Sequence, residues 1–378
     1  MIIKKLTKDD VREHDKLTSQ AFSYSCNIND KASVLPCENM LGAFADDNKT
    51  LFADMEINDR VCFYGKNTLT CAAVGGVAAK PEHRGKGAVK GIFNVLFKDE
   101  KYDISILYPF SDGYYRNLGY ESVGFSLSLK MMFTELSDIK RYSDLTLFEG
   151  NKTEEILCIY NECAKKHPLC FKRENISYFP ENPYLSQEFT YYNKKGLITF
   201  FVSREKSTLF VKEIYYSDTE ALFELLGFLR NYEANCKYLV FNKLPQNSPV
   251  LNIIKNYKEC ELKLNNTGSA RILNVENVLK KHDYKNLCGE FTLKINDTVE
   301  RNNGTFRVKF KDGNVKIKNS NRLKPDFIFD IASASKIILS GIEAPESMKA
   351  MRGVQILNDN PDFYKAFSKE HPHFTDEF

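Results

Sequence analysis

The stretch with the clearest chemistry is Val77-Ala-Ala-Lys-Pro-Glu-His-Arg84-Gly-Lys-Gly87-Ala-Val89. A strand-like run, Leu69–Ala79, leads into it and stops at Lys80-Pro81, because proline has no N–H to extend a ladder. Helical spacing then begins, with Val89, Ile92, Phe93, Leu96 and Phe97 on one face. A strand, a glycine turn and a helix in that order can hold a pyrophosphate. The turn amides converge on one point, and the helix N-terminus adds partial positive charge. Gly85 and Gly87 let the backbone approach an anion with no Cβ in the way, and Arg84 adds a charged donor. Two common phosphate loops do not fit. A Walker loop needs Gly-Lys-Ser/Thr, but Gly85-Lys86 is followed by Gly87. A dinucleotide fingerprint, GxGxxG, finds Gly85 and Gly87 but has Lys90 in its third place.

Other reactive side chains form no comparable pattern. Cys163, His167 and Cys170 offer three ligands without a CxxC pair, and His371 and His373 stand astride a proline, so no metal is expected. None of the ten Cys stands out as a nucleophile. His83 sits on the phosphate turn, a poor place for a base.

The elements that must position this segment follow from periodicity. Residues 2–6 read as a strand, and Thr7 with Asp10 has capping-box spacing before a helix through Val11, His14, Leu17, Ala21 and Phe22. Strands are expected at Thr50–Glu56, Val61–Tyr64, Leu69–Ala79, Asp103–Tyr108 and Ser122–Phe133, with a short helix near Gly113–Leu118. A similar order recurs from about residue 140 and suggests an internal duplication. It has a helix at Thr153–Lys165, strands at Gln187–Tyr192, Leu197–Arg204 and Leu209–Tyr216, a helix at Glu220–Arg230 and a strand at Lys237–Asn242. Its strand-to-helix turn, YYSDTEALFELL, has neither Arg nor Gly. From about residue 288, alternating strands with NNG and KDG turns give way to helices, a small α+β unit. The fold class is thus mixed α/β, with domains expected at 1–137, 138–286 and 287–378.

The chain has 378 residues, 43% hydrophobic and 27% charged, and a net charge of +3, which gives no call for nucleic acid. No apolar run reaches membrane-spanning length, and the N-terminus MIIKKLTKDD does not read as a secretory signal. Scattered Cys suit a reducing compartment, so the cytoplasm is expected.

The segment Val77–Val89 also resembles the acetyl-coenzyme A loop of GNAT N-acetyltransferases, Arg/Gln-x-x-Gly-x-Gly/Ala, with Arg84 and Gly87 matching and Val89 departing. Within that superfamily VAAKPEHRGKG is similar to the loop of the Eis-like ("enhanced intracellular survival") proteins, VAP-x-x-R-R-x-G. Tyr108-Pro-Phe-Ser-Asp-Gly-Tyr-Tyr115-Arg-Asn-Leu-Gly119-Tyr120-Glu121 resembles a second run of theirs. The layout is also similar: a catalytic GNAT domain, a degenerate GNAT-like domain and a sterol-carrier-protein-like domain. The resemblance implies acetyl transfer from acetyl-CoA to a primary amine in a direct ternary complex, the acceptor being a small cationic amine such as an aminoglycoside or polyamine. It implies cofactor contacts at Val77, Ala79, Arg84, Gly85, Gly87 and Ala88, with Lys86 and Val89 completing the loop. It implies Tyr115 as proton donor to the leaving thiolate and the carboxylate of the terminal Phe378 as the group that handles the amine's proton. Asp376 and Glu377 would then stand near the substrate entrance, and residues in the 22–40 stretch would line the acceptor pocket. A homo-oligomer, a hexamer in that family, is the expected assembly. The competing readings are an apolar-ligand carrier with a vestigial transferase, and a protein-lysine acetyltransferase.

Overall fold

The computed structural model describes residues 1–23, 25 and 39–378. The first region runs β1 (Ile2–Lys5), α1 (Val11–Phe22), β2 (Met40–Phe44), β3 (Leu51–Tyr64), β4 (Asn67–Ala79), α2 (Ala88–Lys98), β5 (Ile104–Leu107), α3 (Asp112–Arg116) and β6 (Glu121–Met132). The second runs β7 (Thr146–Leu147), α4 (Thr153–Ala164), α5 (Pro183–Ser186), β8 (Phe189–Asn193), β9 (Gly196–Ser203), β10 (Thr208–Tyr216), α6 (Thr219–Leu229), β11 (Tyr238–Pro245), β12 (Glu261–Ile272) and α7 (Val275–Lys281). The third runs β13 (Cys288–Asn296), β14 (Gly304–Lys311), β15 (Asn314–Asn319), β16 (Phe327–Asp330), α8 (Ile331–Ser340), α9 (Pro345–Lys349), β17 (Val354–Ile356) and α10 (Pro361–Ala366).

Two expectations need correcting. Thr50–Glu56 and Val61–Tyr64 are not separate strands but one strand, β3, which carries the polar stretch Asn58-Asp-Arg60 through an unbroken ladder with β4. A strand that sequence periodicity did not single out, β2, pairs with both β1 and β3. It is short and mostly buried, so it shows no alternation of polar and apolar residues. At the chain start, Asp10 accepts hydrogen bonds from the Thr7 N–H and hydroxyl, each at 2.8 Å.

The first two regions build one sheet in the order β1-β2-β3-β4-β5-β12-β6-β11-β10-β9-β8-β7. Its centre is a reciprocal exchange. The parallel pair β4–β5 is followed by β12, from the second region, while the parallel pair β10–β11 is followed by β6, from the first. β6 and β12 pair with each other antiparallel, so neither half closes its sheet without a strand from the other. The third region forms its own sheet, β15-β14-β13-β16-β17, and packs α8 against β6 and β12. Its interior is filled by rings: Phe291, Phe327, Phe363 and Phe367 are buried, with centroids 4.4 to 5.6 Å apart in successive contacts. Among the described residues no helix is long and apolar enough to cross a membrane.

Candidate active site

The site begins where β4 leaves β5. The two pair from Cys71↔Ile104 to Val74↔Leu107 and no further, so the edge of Gly75–Ala79 that would face β5 is open. On its other side β4 keeps its ladder with β3, but a bulge falls between Asp54↔Ala78 and Glu56↔Gly75. Two β4 residues, Gly76 and Val77, thus stand opposite Met55 alone. Gly76 absorbs the extra residue in the left-handed region, φ +57°, where glycine has no Cβ penalty. The splay and the bulge together turn backbone N–H and C=O groups away from the sheet.

A cleft of about 800 Å³ opens along this edge. Val77, Ala78 and Ala79 of β4 form one wall, Arg84, Gly85 and Gly87 the turn, Ala88 and Val89 the start of α2, and Phe110 and Tyr114 the opposite rim. Gly85 (φ +76°) and Gly87 (φ +79°) are left-handed, and the space a Cβ would take at either is open. The first intrahelical bond of α2 runs from the Gly91 N–H to the Gly87 carbonyl, and no side chain caps the helix. Its leading N–H groups are therefore free to meet an anion. The donor set of glycine amides, helix N-terminus and the exposed Arg84 fits a pyrophosphate with an apolar tail lying along β4. Lys86 is not part of the lining; its ammonium is 3.3 Å from Nδ1 of His83, whose ring lies over Phe52. Phe22 also lines the cleft; residues 24 and 26–38, most of the stretch expected around the acceptor, lie outside the described residues.

Tyr115 sits on α3 behind the rim. Its ring is buried among Phe93, Phe110, Tyr114 and Tyr120 at centroid distances of 5.2 to 6.1 Å. Among the described residues its hydroxyl has no hydrogen-bond partner, unlike Tyr120, which donates to Ser105 at 2.7 Å. Burial, with a smaller push from Tyr114, raises its pKa to about 12, so it is a proton donor at neutral pH.

Phe378, the last residue of the sequence, lies at the other side of the splay. The Phe378 ring stacks on Tyr108 at 5.0 Å and meets Phe171 edge-on at 5.6 Å. Its main-chain oxygen is 2.8 Å, and its carbonyl carbon 3.1 Å, from the point a Cβ on Gly75 would occupy. A carboxylate that sequence reading missed, Glu56 Oε2, lies 4.0 Å from the same point. The available signal was the Gly75-Gly76 pair inside a strand, which marks a bulge or a close approach. Asp376 does not face an entrance: its carboxylate is buried against Arg173, with two oxygens taking bonds of 3.2 and 2.6 Å. Glu377 is exposed, 3.5 Å from Lys243.

The corresponding turn of the second half, between β10 and α6, is closed to anions. Asp218 caps α6 with its own carboxylate, accepting from the Ala221 N–H at 2.8 Å. Among the described residues no group of His, Cys, Asp and Glu is arranged to hold a metal ion.

These features define a GNAT acyltransferase fold. Residues 2–123 match the acetyltransferase (GNAT) domain family and residues 275–375 the sterol carrier protein domain family. The chain therefore carries a GNAT acetyltransferase domain, a second GNAT-like region and a C-terminal sterol carrier protein domain. No curated protein matches the chain by sequence. Among solved structures it is similar over its whole length to a GCN5-related N-acetyltransferase from Anabaena variabilis (TM-score 0.85, 19% identity, 100% of both chains). It is similar to a probable N-acyltransferase from Enterococcus faecalis (0.84, 19%, 100% of this chain and 99% of that one). It is likewise similar to Eis1 from Mycobacterium abscessus (0.81, 15%, 100% of both chains).

Proposed function

We propose that the protein transfers acetyl from acetyl-CoA to a primary amine on a small cationic molecule. The observation that carries this reading is the meeting of two things at the β4–β5 splay: a cleft with a pyrophosphate-type donor set, and the main-chain end of Phe378 laid on Gly75. Acetyl transfer forms a C–N bond and breaks the C–S bond of the thioester; an ammonium acceptor sheds two protons, one passing in net to the sulfur and the other to solvent. In this reading Arg84 and the α2 N-terminus hold the phosphates, and the open edge of β4 aligns the apolar arm. A backbone N–H at the splay polarises the carbonyl. The Phe378 carboxylate takes the amine's proton, through water, and Tyr115 returns one to the sulfur. Glu56 adds a second negative charge beside the terminus, which favours an acceptor that carries more than one ammonium.

The filled aromatic interior of the third domain favours a structural role for it, delivering the terminus, over carriage of an apolar ligand. Calorimetry with acetyl-CoA, followed by thiol release against a panel of polyamines and aminoglycosides, tests the proposal. Amine-dependent release with acetyl-CoA bound in the cleft is expected. A chain that binds no acetyl-CoA would overturn it.

A further inference from the structure

The tail is held most firmly at Asp376, two residues before the end. Its oxygens accept from Nε and Nη2 of Arg173, at 3.2 and 2.6 Å. Arg173 is itself buried, and its other N–H groups reach Glu213 at 3.1 and 2.6 Å. The guanidinium lies 3.9 Å over the Tyr160 ring and 4.7 Å over Phe179. Both partners are placed by the second region. Glu213 stands at a bulge in β10, and Arg173 follows a segment tied to β3 by bonds from Leu169 N–H to Phe63 O and Lys172 N–H to Val61 O, each 2.8 Å.

One guanidinium thus faces two buried carboxylates. Burying ions in this way gives little stability, since an apolar trio of the same volume would hold as well or better. It does give geometry, because a guanidinium fork fixes a carboxylate in both distance and orientation. Three further hydrogen bonds hold the tail beside the clamp: Tyr108 O–H to the Asp376 carbonyl (2.6 Å), Lys243 Nζ to the Thr375 carbonyl (2.8 Å) and Tyr215 with Thr375 Oγ1 (3.0 Å). These three act at residues 375 and 376; beyond them only the exposed Glu377–Lys243 pair and the ring contacts of Phe378 hold the tail. Two residues reach at most about 7 Å, so whatever fixes Asp376 fixes where the terminus can stand.

We propose that Arg173, held by Glu213, is a positioning residue for acetyl transfer: it clamps Asp376 and so aims the terminal carboxylate at Gly75. This gives the degenerate second domain a part in the reaction although its own anion turn is capped. The proposal rests on the reading of the Phe378 carboxylate as the proton-handling group.

A double-mutant cycle tests it. Asp376→Asn keeps the shape and removes the charge, while Arg173 keeps both bonds to Glu213. In the full chain it should lower kcat by roughly tenfold to a hundredfold, the range expected for a misplacement of up to about 1 Å, with the KM for acetyl-CoA unchanged. In a chain lacking Phe378 the same substitution should have no further effect, because the carboxylate that remains, on Glu377, falls one residue, about 3.5 Å, short of Gly75. An unchanged kcat for Asp376→Asn in the full chain overturns the clamp, and so does an equal fold-loss with and without Phe378, which would mark a general structural effect. Removal of Phe378 alone reads the underlying assumption: if that chain keeps its kcat, the terminus has no role and the clamp falls with it. Arg173→Lys, which keeps the charge but loses the fork, supplies a second variant should Asp376→Asn not fold, and the same comparisons decide.

Discussion

Adding one methyl group at Gly75 should slow acetyl transfer without unfolding the protein. Gly75 is not in the left-handed region, so alanine suits its backbone. The new Cβ would meet the main-chain oxygen of Phe378 at 2.8 Å, whereas ordinary contact begins at 3.4 Å. Neighbouring β4 is fixed by its ladder with β3, so the carboxylate must retreat by roughly 0.6 Å. A 1 Å misplacement costs on the order of a hundredfold, so a shift of this size should cost about tenfold in kcat, or about 1.4 kcal/mol of barrier. Stability should hold or rise slightly, because alanine restricts the unfolded chain more than glycine does, by about 0.4–1 kcal/mol. The assay is thiol release at saturating acetyl-CoA and amine, with urea unfolding as the control. Wild-type kcat in a folded Gly75→Ala protein would refute the placement of the reacting proton at the terminus.

Arg84→Ala should weaken acetyl-CoA binding about tenfold and flatten its salt dependence, with kcat unchanged, since an exposed charged donor contributes affinity rather than chemistry; calorimetry at two salt concentrations checks this. Tyr115→Phe should lower kcat by roughly a hundredfold. Because burial holds the Tyr115 proton up to about pH 12, the wild-type profile should show no loss of this donor between about pH 8 and 10. Glu56→Gln should raise the KM of a polyamine more than that of a monoamine, read in parallel titrations. Stability should fall in acid. Burial depresses His373 to about 3 and His167 and His282 to about 4, so below the ordinary histidine pKa the unfolded chain takes up protons that the folded chain refuses. The contribution is complete at neutral pH and is lost as pH falls from about 6.5 towards 4, at up to roughly 4 kcal/mol per pH unit for the three together, measurable by urea unfolding at pH 7 and pH 5.

The parts of this protein that a sequence shows are those set by neighbours in the chain. The Thr7–Asp10 cap, the glycine turn and the apolar face of α2 all depend on spacings of a few residues. β12 illustrates what is hidden. Its first residues, Glu261–Leu264, are exposed, its last six, Thr267–Ile272, are buried, and only Asn265-Asn266 lie between them. The strand changes surroundings along its length because it crosses from one half of the sheet to the other, and Gly268 is where the Phe374 ring presses on it. No local pattern encodes an exchange between β6 and β12. The site divides the same way. Arg84, Gly85 and Gly87 stand in one turn, whereas Gly75, Glu56, Arg173 and Phe378 meet only because three regions of the chain fold onto one another. The Asp376–Arg173 bond joins residues about two hundred positions apart, so nothing near Asp376 in the sequence marks it as buried rather than as part of a substrate entrance.

In the proposed reaction one charge, the carboxylate of Phe378, handles the amine's proton. Ligating a synthetic tail that ends in Phe378 carboxamide keeps the ring on Tyr108 and removes only that charge. Acetyl-CoA affinity should be unchanged and kcat for amine-dependent thiol release should fall at least a hundredfold. An amidated protein that turns over at the wild-type rate would contradict that role of the carboxylate.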